Sequence, residues 1–84
     1  RDKESRSVRN SIRELEKAMA ALEHRIEALE QEKAELEEEL SQPDLYTDDE
    51  RAKAVTTRYR KLQTELQAAY AEWEDVAMEL SRGQ

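Results

Sequence analysis

Few side chains in this 84-residue sequence have the type and spacing that chemistry requires. The single histidine, His24, has no histidine or cysteine three or four residues away that would make a helical metal site, so it is expected to face solvent. The glutamates recur along helical surfaces and do not converge as an acid–base pair in a cleft. A glycine-rich phosphate loop is excluded, because the one glycine is Gly83. With no cysteine, disulfides and thiolate metal sites are excluded too. The expectation is therefore a non-enzyme with no catalytic, cofactor-binding or metal-binding residue. What remains is surface charge that can bind. Lys53, Arg60 and Lys61 are predicted to point outward together, which is the composition of a phosphate-contacting patch, with Arg6, Arg9 and Arg13 as a second group. Glu16, Glu23, Glu30 and Glu37 make an acidic strip that suits a basic surface.

The elements that must carry these residues are two heptad seams. The first is Val8, Ile12, Leu15, Met19, Leu22, Ile26, Leu29, Lys33, Leu36 and Leu40; the second is Ala52, Val55, Tyr59, Leu62, Leu66, Ala69, Trp73, Val76 and Leu80. Spacings alternate between four and three, the a/d pattern of coiled-coil packing. The fold class is all-α: a two-helix antiparallel coiled-coil hairpin forming a single domain. Residues 1–7 are polar and read as a linker or frayed start of a piece cut from a longer protein. Helix one is assigned to 8–40, the loop to 41–48 and helix two to 49–82. Each arm is then about 50 Å long at roughly 1.5 Å per residue. A parallel dimer of two chains is the competing architecture.

Pro43 is expected to end the first helix, since the residue before proline disfavours the α conformation. Thr47 is positioned to cap helix two, with Glu50 reaching back to it. Ser11 and Glu14 have the same spacing and allow a later start for helix one. Leu45 and Tyr46, apolar in a polar loop, should fold over Leu40 and Ala52. Arg82-Gly83 offers a cation at the negative helix end and a glycine for a left-handed cap. Trp73 and Tyr59 fall at core positions. Lys33 is the only charged seam residue; its stem should cover apolar surface while the amine reaches outward, toward Glu37.

Charge suggests a register. Placing Leu29 by Tyr59, Leu22 by Leu66, Leu15 by Trp73 and Ile12 by Val76 sets Arg25 by Glu65, Glu32 by Arg58 and Glu39 by Arg51. It also sets the Tyr70 hydroxyl near Glu16 and Lys33 opposite Val55. Sliding by one heptad would put Glu32 against Glu65 and leave Ile12 facing Gly83. Each exposed pair contributes only ~0–1 kcal/mol, so the ladder selects a register more than it adds stability.

Composition bounds the class. A sequence with 37% hydrophobic and 42% charged residues fits a coiled coil better than a globular α/β or all-β core. No apolar run approaches the roughly 20 residues of a membrane span, and a cytoplasmic location is the expectation. The net charge of −7 is segregated. Residues 1–13 carry five cations and two acids, residues 14–50 fourteen acids and three cations, residues 51–63 five cations and no acid, and residues 64–84 five acids and one cation. Bulk acidity opposes nucleic acid at long range, while the two basic blocks can still bind phosphates locally.

Glu37–Leu40, then Pro43-Asp44-Leu45-Tyr46, then Ala69-Tyr70 and Trp73-Glu74 on the second helix resemble the C-terminal coiled-coil domain of ABC-F ATPases, over about Ile12 to Leu80. The Pro-Asp-Leu-Tyr tip and the Tyr-x-x-Trp spacing are the most specific marks. The Leu-Pro pair found early in the first helix of many relatives is absent here, where Ser11-Ile12-Arg13-Glu14 runs on. The resemblance implies a non-catalytic appendage of a soluble tandem ATPase, with ATP and Mg bound by the parent and not by this fragment. It implies contact with nucleic acid, either DNA or ribosomal RNA; the arrangement of the two seams leads to the expectation of a monomeric hairpin. The alternative is a structural arm that docks on protein, such as the parent ATPase domains, through Glu16, Glu23, Glu30 and Glu37.

Overall fold

The computed structural model describes residues 2–83; at positions 2–5 and 7 the description is of backbone alone. Helix α1 spans Asp2–Leu40, a short 3-10 turn spans Pro43–Thr47, and helix α2 spans Asp49–Gly83. The two helices pack along each other as an antiparallel hairpin, a rod of 68 × 16 × 14 Å. Of the stretch read as a linker or frayed start, the backbone from Asp2 onward is helical and continuous with α1, and the Ser11–Glu14 capping option is unused. Neither proline nor glycine occurs before Pro43 to interrupt it.

The tip is built as proline demands. Gln42, ahead of Pro43, is extended at φ −84° and ψ 123°, and the last turn of α1 closes through Ser41 N–H to the carbonyls of Glu37 and Glu38. Leu45 turns inward and is 4% exposed, joining Leu29, Leu36, Val55, Leu62, Leu66 and Ala69 in the core, with Leu40 and Ala52 packed against it. Tyr46 does not seal the tip as expected. It is 58% exposed, and its hydroxyl donates to the Leu40 carbonyl at 2.6 Å, satisfying one of the free acceptors at the helix end.

The cap of α2 also differs from expectation. Asp48 is the N-cap: its Oδ1 accepts the Arg51 N–H at 3.2 Å, while Thr47 donates its hydroxyl to the Asp44 carbonyl at 2.7 Å. At the far end Gly83 remains helical, and no glycine among the described residues has a positive φ, so the left-handed cap is absent.

The register is the main correction. Ile12 Cγ1 lies 3.6 Å from the point a Gly83 Cβ would occupy. The Tyr59 hydroxyl donates to Glu37 at 2.7 Å, and Tyr70 meets Glu30 at 3.5 Å instead of Glu16. Ile26 shares a cleft with Tyr70 and Trp73. These contacts set Leu36 level with Tyr59, Leu29 with Leu66, Leu22 with Trp73 and Ile12 with Gly83. That is one heptad away from the charge-based register. The turn explains the offset. Pro43–Thr47 lies against the first turns of α2 and puts Leu45 where another turn of α1 would otherwise pack. Burying one leucine contributes roughly 1.5–3 kcal/mol, more than any single exposed ion pair.

Two of the three expected ion pairs form nonetheless, because arginine reaches along the rod. Arg58 binds Glu32 through two bonds of 2.6 Å, and Arg51 binds Glu39 at 3.0 Å. Arg25 does not pair with Glu65. Glu65 instead meets Arg58 at 3.5 Å, so one guanidinium bridges the two glutamates that the heptad shift brings face to face.

Candidate nucleic-acid interface

Helix periodicity decides which cations are engaged and which stay open. Arg51 and Arg58 flank the seam of α2 and are held by glutamates of α1, while Lys17 pairs with Glu14 and Arg82 with Glu79 along their own helices. Lys53, Arg60 and Lys61 lie farther from the seam and are exposed. Among the described residues, none of these three forms an ion pair within 4.0 Å. Lys53 and Arg60, two turns apart on one face, line a shallow depression with Asp49, Ala52, Thr56 and Thr57. Lys61 follows Arg60 in the chain and opens onto the adjoining surface.

Arg6, Arg9 and Arg13 are exposed at the opposite end of the rod. With Ile12 beside Gly83, Arg13 stands about 30 Å from the level of Lys61, at 1.5 Å per residue. The two basic groups therefore do not merge into one patch. The acidic strip is exposed along its whole length: Glu16, Glu23, Glu30 and Glu37 form no ion pair among the described residues, though Glu30 and Glu37 face the hydroxyls of Tyr70 and Tyr59.

Lys33 does not lie opposite Val55, the neighbour expected for it, because of the observed register. It instead lines a broad groove with Glu30, Arg60, Gln63, Leu66 and Tyr70, and is half-buried. Sequence reasoning missed this cation as a neighbour of Arg60 because the placement depends on the register. Its position as the one charged seam residue was the available signal.

The electrostatics centre on Arg58. Its hydrogen bonds hold the Glu32 carboxyl below the ordinary glutamate value of 4.5, against the opposing effect of desolvation, and raise the affinity of Arg58 for its own proton. The hydrogen bond to Glu37, assisted by partial desolvation, raises the pKa of the Tyr59 phenol. These groups bind each other across the hairpin. His24 is exposed, and no group of three or more potential metal ligands occurs among the described residues. No described helix is long and apolar enough to cross a membrane.

A family model, the ABC transporter C-terminal domain, matches residues 4–78, across both helices and the proline-containing turn. The chain belongs to the ABC transporter C-terminal domain family. Comparison with curated proteins and with solved structures gave no match. Membership makes the helical hairpin an appendage of ABC-type proteins.

Proposed function

We propose that this ABC appendage is a non-catalytic arm that contacts nucleic acid, DNA or ribosomal RNA, through Lys53, Arg60 and Lys61. The observation that carries the reading is that these three exposed cations are left uncommitted while the neighbouring Arg51 and Arg58 are bound by glutamates. Phosphates can take the open cations without breaking the contacts that hold the hairpin together. Arg6, Arg9 and Arg13 act as a separate group that a longer nucleic acid reaches along the rod. The parent is an ABC-F-type ATPase that binds ATP and Mg outside this segment and works in the cytoplasm, and the arm itself is a monomeric hairpin.

The test is a salt titration of binding to duplex DNA, single-stranded DNA and ribosomes. Three phosphate contacts predict a log–log slope of about −2.7 on duplex and about −2.1 on single strands. The triple variant Lys53→Glu, Arg60→Glu, Lys61→Glu should flatten that slope and weaken binding on every sequence. Unchanged affinity and slope in the triple variant would eliminate this surface as the contact.

A further inference from the structure

A second surface lies about four turns of α1 from the tip and has different chemistry. Ile26, Tyr70 and Trp73 line a small apolar cleft of about 260 Å³, and Glu23 and Glu27 stand at its rim. The cleft exists because of the observed register. It sets Trp73 level with Leu22, where Trp73 is half-buried and lines the cleft with Ile26. Tyr70 is 44% exposed, and its hydroxyl is only at the limit of hydrogen-bonding distance from Glu30. The Trp73 indole N–H has no hydrogen-bond partner among the described residues, and neither Glu23 nor Glu27 has an ion pair there.

Two aromatic rings, two uncompensated carboxylates and little other polar lining favour a flat cation. Ring faces attract a guanidinium through their quadrupole, and carboxylates accept its N–H groups. A phosphate would be repelled by the same rim, so this cleft cannot serve as a nucleic-acid contact. We infer that the Ile26–Tyr70–Trp73 cleft is a docking pocket for an arginine side chain on a basic segment of a partner protein, with Glu23 and Glu27 pairing the guanidinium. The acidic faces on either side, including Glu16 and Glu30, extend the match to neighbouring cations of that segment.

Trp73 is the only tryptophan in the chain, so its emission reports the cleft directly. The probe is an acetylated, amidated peptide of alternating arginine and glycine, titrated at low salt, with lysine–glycine and glutamine–glycine peptides as comparisons. A saturable change in Trp73 emission with the arginine peptide, a weaker one with lysine and none with glutamine is the expected result. Glu23→Gln/Glu27→Gln, both at exposed positions, should lower affinity about fivefold or more with helicity unchanged by circular dichroism. Tyr70→Leu keeps apolar bulk and removes a ring face, and should lower affinity about threefold. The inference is overturned if Trp73 does not respond to the arginine peptide, or if both variants bind as tightly as the parent chain. It is also overturned if sedimentation shows that a second copy of the chain fills the cleft and displaces the peptide. The Lys53/Arg60/Lys61 variant, more acidic than the parent chain, should bind the peptide at least as tightly, which separates this outcome from the fate of the nucleic-acid reading.

Discussion

A covalent bridge across the open end of the hairpin tests the register directly. The chain has no cysteine, so two introduced thiols have no competitors. Ile12 Cγ1 is 3.6 Å from the site of a Gly83 Cβ, which puts the β-carbons of Ile12→Cys and Gly83→Cys within reach of the roughly 3.5–4.5 Å separation a disulfide needs. The comparison pair is Ile12→Cys with Val76→Cys, the neighbours that the charge ladder would have chosen. Val76 stands seven residues from Gly83 along α2, about 10 Å, and that pair cannot close without moving a helix. The 12–83 bridge closes a loop of about 70 residues, for which the chain-entropy relation gives about 4 kcal/mol. Strain at the joined ends subtracts from this, so a gain of about 2–4 kcal/mol is expected. For a chain of this size that raises the melting temperature by about 10 °C or more. The assay is mild oxidation followed by mass measurement, peptide mapping and thermal unfolding with and without reductant. Rapid closure of 12–76, with 12–83 remaining reduced, would refute the register and every surface assignment built on it.

Three further outcomes follow from the packing and the caps. Leu62 is 0% exposed at the centre of the seam, so Leu62→Ala should cost about 3–5 kcal/mol in urea unfolding, whereas Leu80→Ala, at a half-buried site near the open end, should cost less than half as much; equal costs would contradict the placement of the core. Asp48→Ala should lower stability by about 1 kcal/mol and Thr47→Ala by less, and the reverse order would restore Thr47 as the cap. The Glu32 carboxyl is held below its ordinary value by Arg58, so its stabilising contribution is present above the unfolded value near 4.5 and is lost as pH falls through the lower folded value. The stability difference between the parent chain and Arg58→Ala should therefore shrink as unfolding is measured from pH 7 down through that range. A difference independent of pH would show that the pair contributes packing alone. Both side chains are about a third exposed, at 36% and 37%, so solvent screening keeps this effect modest.

Much of the hairpin was legible because its signals are local. A four–three alternation of apolar residues specifies a helix with one sticky stripe, and the backbone restriction before Pro43 specifies where the first stripe stops. The outward direction of Lys53, Arg60 and Lys61 follows from the same period, since residues off the stripe face water whatever the stripe packs against. Arg58 and Arg51 found their glutamates for a related reason: a flexible arginine tolerates an error of one heptad in its neighbour's position.

The sequence by itself determined two helices, their boundary, the buried stripe and the open cations, all of which depend on residues within a few turns of one another. It did not determine how far one stripe slides along the other, because a seven-residue repeat matches itself after every heptad and the exposed charges distinguish registers only weakly. The tertiary structure decided that slide through the three-dimensional shape of the Pro43–Thr47 turn and the burial of Leu45. With it came everything that depends on cross-helix neighbours: the Arg58 bridge between Glu32 and Glu65, the placement of Lys33 near Arg60, and the cleft between Ile26, Tyr70 and Trp73.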